Sequence, residues 1–120
     1  MERNKMNVAV QGTREFVSYD VFMRAMGVAL SSIEDTEFNV YSAGPSQVNQ
    51  HTAEFCNLSE DGLKRRGIKV KYFKVAPSFI EENISDFDYF AFLSAPNQQR
   101  PSNLAALAEL SGVEVGVFRY

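Results

Sequence analysis

The sequence is poor in the residues that make disulfides and metal sites: its 120 positions include one cysteine, Cys56, and one histidine, His51. A lone cysteine cannot close an intramolecular disulfide and fits a reducing compartment, where such a thiol is mostly a small buried hydrophobe. One Cys and one His supply too few soft ligands for zinc. On a helix, their separation of five positions puts them on different faces at about 100° per residue, which argues against a Cys/His catalytic pair. Neither a metal nor a cofactor is expected. A basic excess is also absent. The net charge of −3 gives no general attraction for phosphate backbones, so direct nucleic-acid binding is not expected, although Lys64, Arg65 and Arg66 form a local basic spot. No apolar run approaches the about 20 residues of a membrane helix, and "MERNK" leads into no signal-peptide core. A soluble, cytoplasmic protein with no membrane partner is expected.

What is present is a globular composition, 45% hydrophobic and 22% charged with ten Phe against four Pro, which argues against disorder beyond the first residues. The length suits one domain. Residues 1–5 are expected to form a flexible N-terminal tail and residues 6–120 a single domain.

Strand and helix signals alternate along the chain. "MNVAVQ" (6–11) is a short apolar run ended by Gly12, as expected of a buried strand feeding a loop. Phe22, Met26, Ala29 and Ile33 recur at helical spacing over 20–33, with Met23 and Leu30 widening the face. "FNVYSA" (38–43) reads as a second strand, broken by Gly44-Pro45-Ser46. A helix follows from Ser46 to Phe55 or beyond, which "NLSEDGLKRRG" interrupts and restarts before Gly67. "IKVKYFKV" (68–75) alternates apolar and basic residues, the pattern of a strand nearer a sheet edge, and "PSFIEENI" (77–84) is a short helix opened by Pro77. "FDYFAFLSA" (87–95) is the most continuous apolar run and the best candidate for a central parallel strand; "RPSNLAALAEL" and "VEVGVFRY" supply a last helix and strand. This alternation predicts an α/β fold: a three-layer Rossmann-like domain, a mainly parallel five-stranded sheet with helices on both faces. Ligands bind such sheets at the carboxyl ends of the strands, here the loops Gly12–Ser18, Ala43–Ser46 and Ser94–Pro101.

"VAVQGTREFVSYDVF", "VYSAG", "LKRRGIKVKYFKV", "DYFAFLS" and the terminal "EVGVFRY" together resemble short Rossmann-like members of the SLOG superfamily, relatives of the Lonely Guy nucleotide-processing enzymes, over Met6 to Tyr120. The family pattern has a Gly-Ser/Thr-Arg-aromatic loop after the first strand, which Gly12, Thr13, Arg14 and Phe16 match. Its Gly-Gly loop after the second strand corresponds to Ser42-Ala43-Gly44-Pro45-Ser46, with one glycine replaced. Its catalytic branch carries Pro-Gly-Gly-x-Gly-Thr-x-x-Glu after the fourth strand. Here Ala95-Pro96-Asn97-Gln98-Gln99-Arg100-Pro101-Ser102-Asn103 keeps a proline and a hydroxyl at Ser102 but no glycine, and Ala105 stands in place of the glutamate. Glycines let a phosphate loop adopt unusual backbone angles and approach closely, and the glutamate would assist cleavage at a ribose. The resemblance therefore implies the fold and a ligand cleft more than it implies catalysis.

The residues expected to bind a ligand are Gly12, Thr13, Arg14, Phe16, Ser42, Gly44, Ser46, Ser94, Asn97, Arg100 and Ser102. Arg14 either pairs with a phosphate or staples its loop through Glu15 or Asp20. No acid follows Gly44 until Glu54, nor Arg100 until Glu109, so two helix amino ends are electrically open, whereas Asp20 answers the dipole of the first helix. Arg14 is expected to converge with both open ends on one anionic group. Tyr19, Tyr41 and Phe16 stack a base or, as is more usual beside a sheet, fill core.

Three functions follow. The first is a module that binds a nucleotide-like small molecule without strong turnover. The second is a small modifier, of the kind phages encode, that grips a host enzyme using nucleotides or tRNA; the apolar first helix (Val21, Phe22, Met23, Ala25, Met26, Val28, Ala29, Leu30) would be that interface or one between copies of the chain. The last is a nucleoside monophosphate phosphoribohydrolase, which would need an acid or base from Glu15, Asp20 or Glu109.

Overall fold

Strands β1 (Lys5–Gly12), β2 (Glu37–Ser42), β3 (Lys69–Lys74), β4 (Tyr89–Ser94) and β5 (Glu114–Arg119) alternate with helices α1 (Tyr19–Leu30), α2 (Ser46–Arg65), α3 (Pro77–Glu82) and α4 (Asn103–Leu110). The structure, a computed structural model, describes residues 5–12, 19–31, 33–94 and 103–119. The strands form one sheet in the order β3-β2-β1-β4-β5, and every pairing is parallel. This is the α/β, Rossmann-like arrangement that the alternation of signals predicts.

Side-chain alternation sorts the strands' residues onto two faces. Val8 and Val10 of β1, Phe38 and Val40 of β2, and Tyr89, Ala91 and Leu93 of β4 join Phe22, Ala25 and Met26 of α1 and Val48, Phe55 and Cys56 of α2 in one core. Ala9, Phe90 and Phe92 point the other way and meet Ile80 of α3 and Leu104, Ala105 and Ala108 of α4. All six residues of β4 are buried, as a strand covered on both faces requires; β1, not β4, takes the middle of the sheet.

The edges differ. β3 is an edge strand and carries Lys69, Lys71 and Lys74; β5, the other edge, has Glu114 and Arg119 at its ends and an exposed Val117 between them. Lys71 pairs with Glu37 at 2.7 Å, and that ammonium hydrogen bond holds the Glu37 carboxyl below its ordinary range.

Two elements depart from expectation. α2 runs unbroken from Ser46 to Arg65, without the interruption that "NLSEDGLKRRG" suggested, because its buried phase survives: Phe55 and Leu63 stay on the core side, the Ser59 hydroxyl donates to the Phe55 carbonyl at 2.5 Å, and Gly62 sits on open surface. α1 stops at Leu30 rather than Ile33, where the Ser31 hydroxyl donates to the Val28 carbonyl at 2.7 Å.

Candidate functional site at the carboxyl edge of the sheet

Because every strand runs the same way, all carboxyl ends share one edge, and the strand order reverses between β1 and β4, where open α/β sheets form their ligand crevice. Gly12, Ser42, Gly44, Ser46 and Ser94 all lie along this edge. Thr13, Arg14, Phe16, Asn97, Arg100 and Ser102 lie outside the described residues, as does Glu15.

The best-defined part is the turn from β2 into α2. Ala43 N–H donates to the Val10 carbonyl, Gly12 N–H to the Gly44 carbonyl and Val75 N–H to the Ser42 carbonyl, each at 2.9 Å, so the turn extends the ladder on both sides. Gly44 has φ +89°, a left-handed conformation that glycine adopts without strain. Pro45 then caps α2 with no side-chain hydrogen bond, and no acid stands in the first turn. At the far end Lys64 and Arg65 complement the dipole. A helix of 20 residues therefore presents to the ligand edge an amino end whose cap residue makes no side-chain bond and whose first turn carries no carboxylate. Ser42 is wholly buried and its hydroxyl donates to Asn49 Oδ1 at 2.5 Å, which ties β2 to α2; Ser94 is buried too, and Ser46 is exposed.

α4 likewise has no acid in its first turn, whereas α1 has Asp20. Ala105 is 1% exposed, packed in the second core. A carboxylate at that position would enter apolar packing instead of the crevice. Asp20 and Glu109 are exposed on their helices.

A groove of about 460 Å³ opens between α3 and α4 and reaches β1, lined by Gln11, Glu81 and Asn103 and by Pro77, Leu104 and Leu107. The sequence singled out none of these polar residues, which come from three separate elements. A second groove, of about 560 Å³, lies at the opposite, amino edge against Thr36, Glu60, Asp61, Lys64 and Lys69. Tyr41 stacks with Phe73 (4.5 Å) and Phe79 (5.8 Å) and has Phe87 edge-on at 5.1 Å, so its ring belongs to an aromatic cluster of the chain itself. Tyr19 packs on Phe22 at 6.1 Å and against His51 at 5.2 Å.

Among the described residues no group of three or more His, Cys, Asp or Glu is placed to hold a metal ion, and no helix is long and apolar enough to cross a membrane. Cys56 is buried, and burial pushes its thiol from 9.0 up to about 12. Between those values the unfolded chain binds fewer protons than the folded one, so the stability linked to Cys56 is complete below pH 9 and is lost as pH rises toward 12. Burial raises Tyr19, Tyr41, Tyr72 and Tyr89 as well, in the same sense. A chromogenic disulfide reagent at pH 8 is therefore expected to label native Cys56 at least about a hundredfold more slowly than the urea-unfolded chain, since only the thiolate attacks. Equal rates would show that the thiol is accessible.

Comparison with known proteins gives no match: no family model fits the chain, and no curated protein or solved structure matches it. Fold and strand order define a Rossmann-like α/β domain with its candidate site at the strand-order reversal.

Proposed function

We propose that the domain binds a nucleotide or nucleotide-derived anion at the carboxyl edge, as a SLOG-like module whose catalytic motifs have degenerated. The observation that carries this reading is the amino end of α2: its cap residue, Pro45, makes no side-chain hydrogen bond, its first turn holds no acid, and the Gly12–Gly44 hydrogen bond holds it beside β1. Backbone N–H groups and the positive end of the dipole favour an anion there, and nucleotides supply it as phosphate. The buried Ala105 favours binding over bond cleavage.

Calorimetric titration with a panel of nucleotides and cyclic nucleotide signals tests the proposal. Gly44→Asp would combine a new charge with a strained φ, so the cleaner variant is Ser46→Asp, at the exposed first position of α2. It is expected to weaken the anion by roughly tenfold while leaving stability unchanged or raised by a few tenths of a kcal/mol, because the same carboxylate complements the dipole. Arg14→Ala is expected to weaken binding by a similar factor. If no nucleotide binds, or if both variants bind as wild type does, the edge is only a turn inherited from a nucleotide-binding ancestor.

The second reading, a modifier that grips a host enzyme, draws on Met23 and Val28, which α1 leaves 42% and 45% exposed. Native mass spectrometry of protein taken from its natural host separates the two: a retained small ligand supports the module, and a co-purified enzyme the modifier.

A further inference from the structure

We propose that the groove between α3 and α4 is the sugar subsite of that ligand and reads the hydroxyl groups of a ribose; the inference rests on the nucleotide reading above. Among the described residues its polar lining residues are Gln11, Asn103 and Glu81, and its apolar ones Pro77, Leu104 and Leu107. A carboxylate only accepts hydrogen bonds, which matches a pair of vicinal hydroxyl donors, and the carboxamides both accept and donate. The apolar side chains suit the C–H face of a furanose. Among the described residues no lysine or arginine lines the groove.

Placement links the groove to the open helix end. Gln11 precedes Gly12, whose N–H donates to the Gly44 carbonyl, and Pro45 and α2 follow directly. The strands that carry the two features are neighbours, about 4.8 Å apart, and a 5′-phosphate is only a few bonds from its ribose. The side chains are also arrayed for one ligand: Pro77 and Glu81 are four positions apart on α3, as are Asn103 and Leu107 on α4, so each helix turns a polar and an apolar residue into the groove. The volume of about 460 Å³ lies within the range typical of small-molecule sites.

The test is titration of the whole chain with AMP, GMP, CMP and UMP and with the 2′,3′-dideoxy counterpart of each. Wild type is expected to bind a ribonucleotide about tenfold or more tightly than its dideoxy form, because a site built for hydroxyls leaves polar groups unpaired without them. Glu81→Gln and Asn103→Ala are expected to lower ribonucleotide affinity and leave the dideoxy form within about twofold of wild type. Both positions are exposed, so far-UV circular dichroism should show an unchanged fold. Equal binding of ribo and dideoxy forms, or full discrimination retained in Glu81→Gln, overturns the subsite while the nucleotide reading stands. Binding of none of the eight overturns the subsite, and the nucleotide reading falls with it when the wider panel of nucleotides and cyclic nucleotide signals fails to bind as well.

Discussion

Gly116→Ala is expected to destabilise the protein by about 3 kcal/mol, a large effect for a single methyl group, and to lower Tm by roughly 10 °C. Gly116 of β5 stands opposite Ala91 of β4, and Tyr89, two residues earlier on the same face, lays its ring across the glycine. A Cβ at this position would fall on the Tyr89 hydroxyl oxygen and lie 2.9 Å from both Tyr89 Cζ and Phe118 Cε2. Tyr89 is 3% exposed within the first core, so its ring has little room to withdraw. Tyr89→Ala clears the space, and the double variant should lose less than the sum of the two single losses. Thermal melts of the four proteins decide the matter. A Gly116→Ala protein within about 0.5 kcal/mol of wild type would show that the phenol is not held over the glycine.

The second large effect contrasts neighbours on α1. Met26 is wholly buried, whereas Met23, three residues earlier, is 42% exposed. Met26→Lys places an unpaired charge among Phe22, Ala25 and the sheet and is expected to cost about 4 kcal/mol or more, close to the whole stability of a marginal domain. Met23→Lys should leave the fold intact. Leu30 packs against the core from the helix end, so the outward apolar surface of α1 is narrower than the sequence suggested and rests on Met23 and Val28. Circular dichroism reports the fold of both variants and light scattering their mass. If wild type is an oligomer joined through this face, Met23→Lys yields a folded monomer; unfolding at Met23 would mean that this side chain is core.

The features that were legible in the sequence are those written in local spacing. The unbroken apolar run of β4 announced burial on both faces, and the basic alternation of β3 announced an edge, because each pattern reports the strand's own surroundings. The open end of α2 was legible for the same reason, since a helix dipole is answered or not by residues within one turn. The continuity of α2 was not. Asn57, Ser59, Asp61 and Gly62 read as a break, yet packing of Phe55, Cys56 and Leu63 against the sheet outweighs their weak propensities. Which apolar residues of α1 are core and which are outward was left open by the sequence, because apolar composition does not say which flank the sheet will cover. The groove could not be read at all: Gln11, Glu81 and Asn103 share no motif, and only the return of the chain from β3 to β4 across β1 brings them to one cavity.

That return also leaves two unlike margins on the sheet. Were two copies to meet along β3, Lys69 and Lys74 of one would be brought up to those of the other, and their charge and hydration would oppose the approach of the backbones. Where they meet along β5, only one acid and one base flank the contact, with Val117 between. A ribbon that grows by adding sheets needs an adhesive margin at each end, and the lysines of β3 deny this sheet one of them. Strand-to-strand pairing through β5 would therefore close after a single step, in a two-fold pair whose outer rims are both lysine, and would leave a filament no second margin from which to continue.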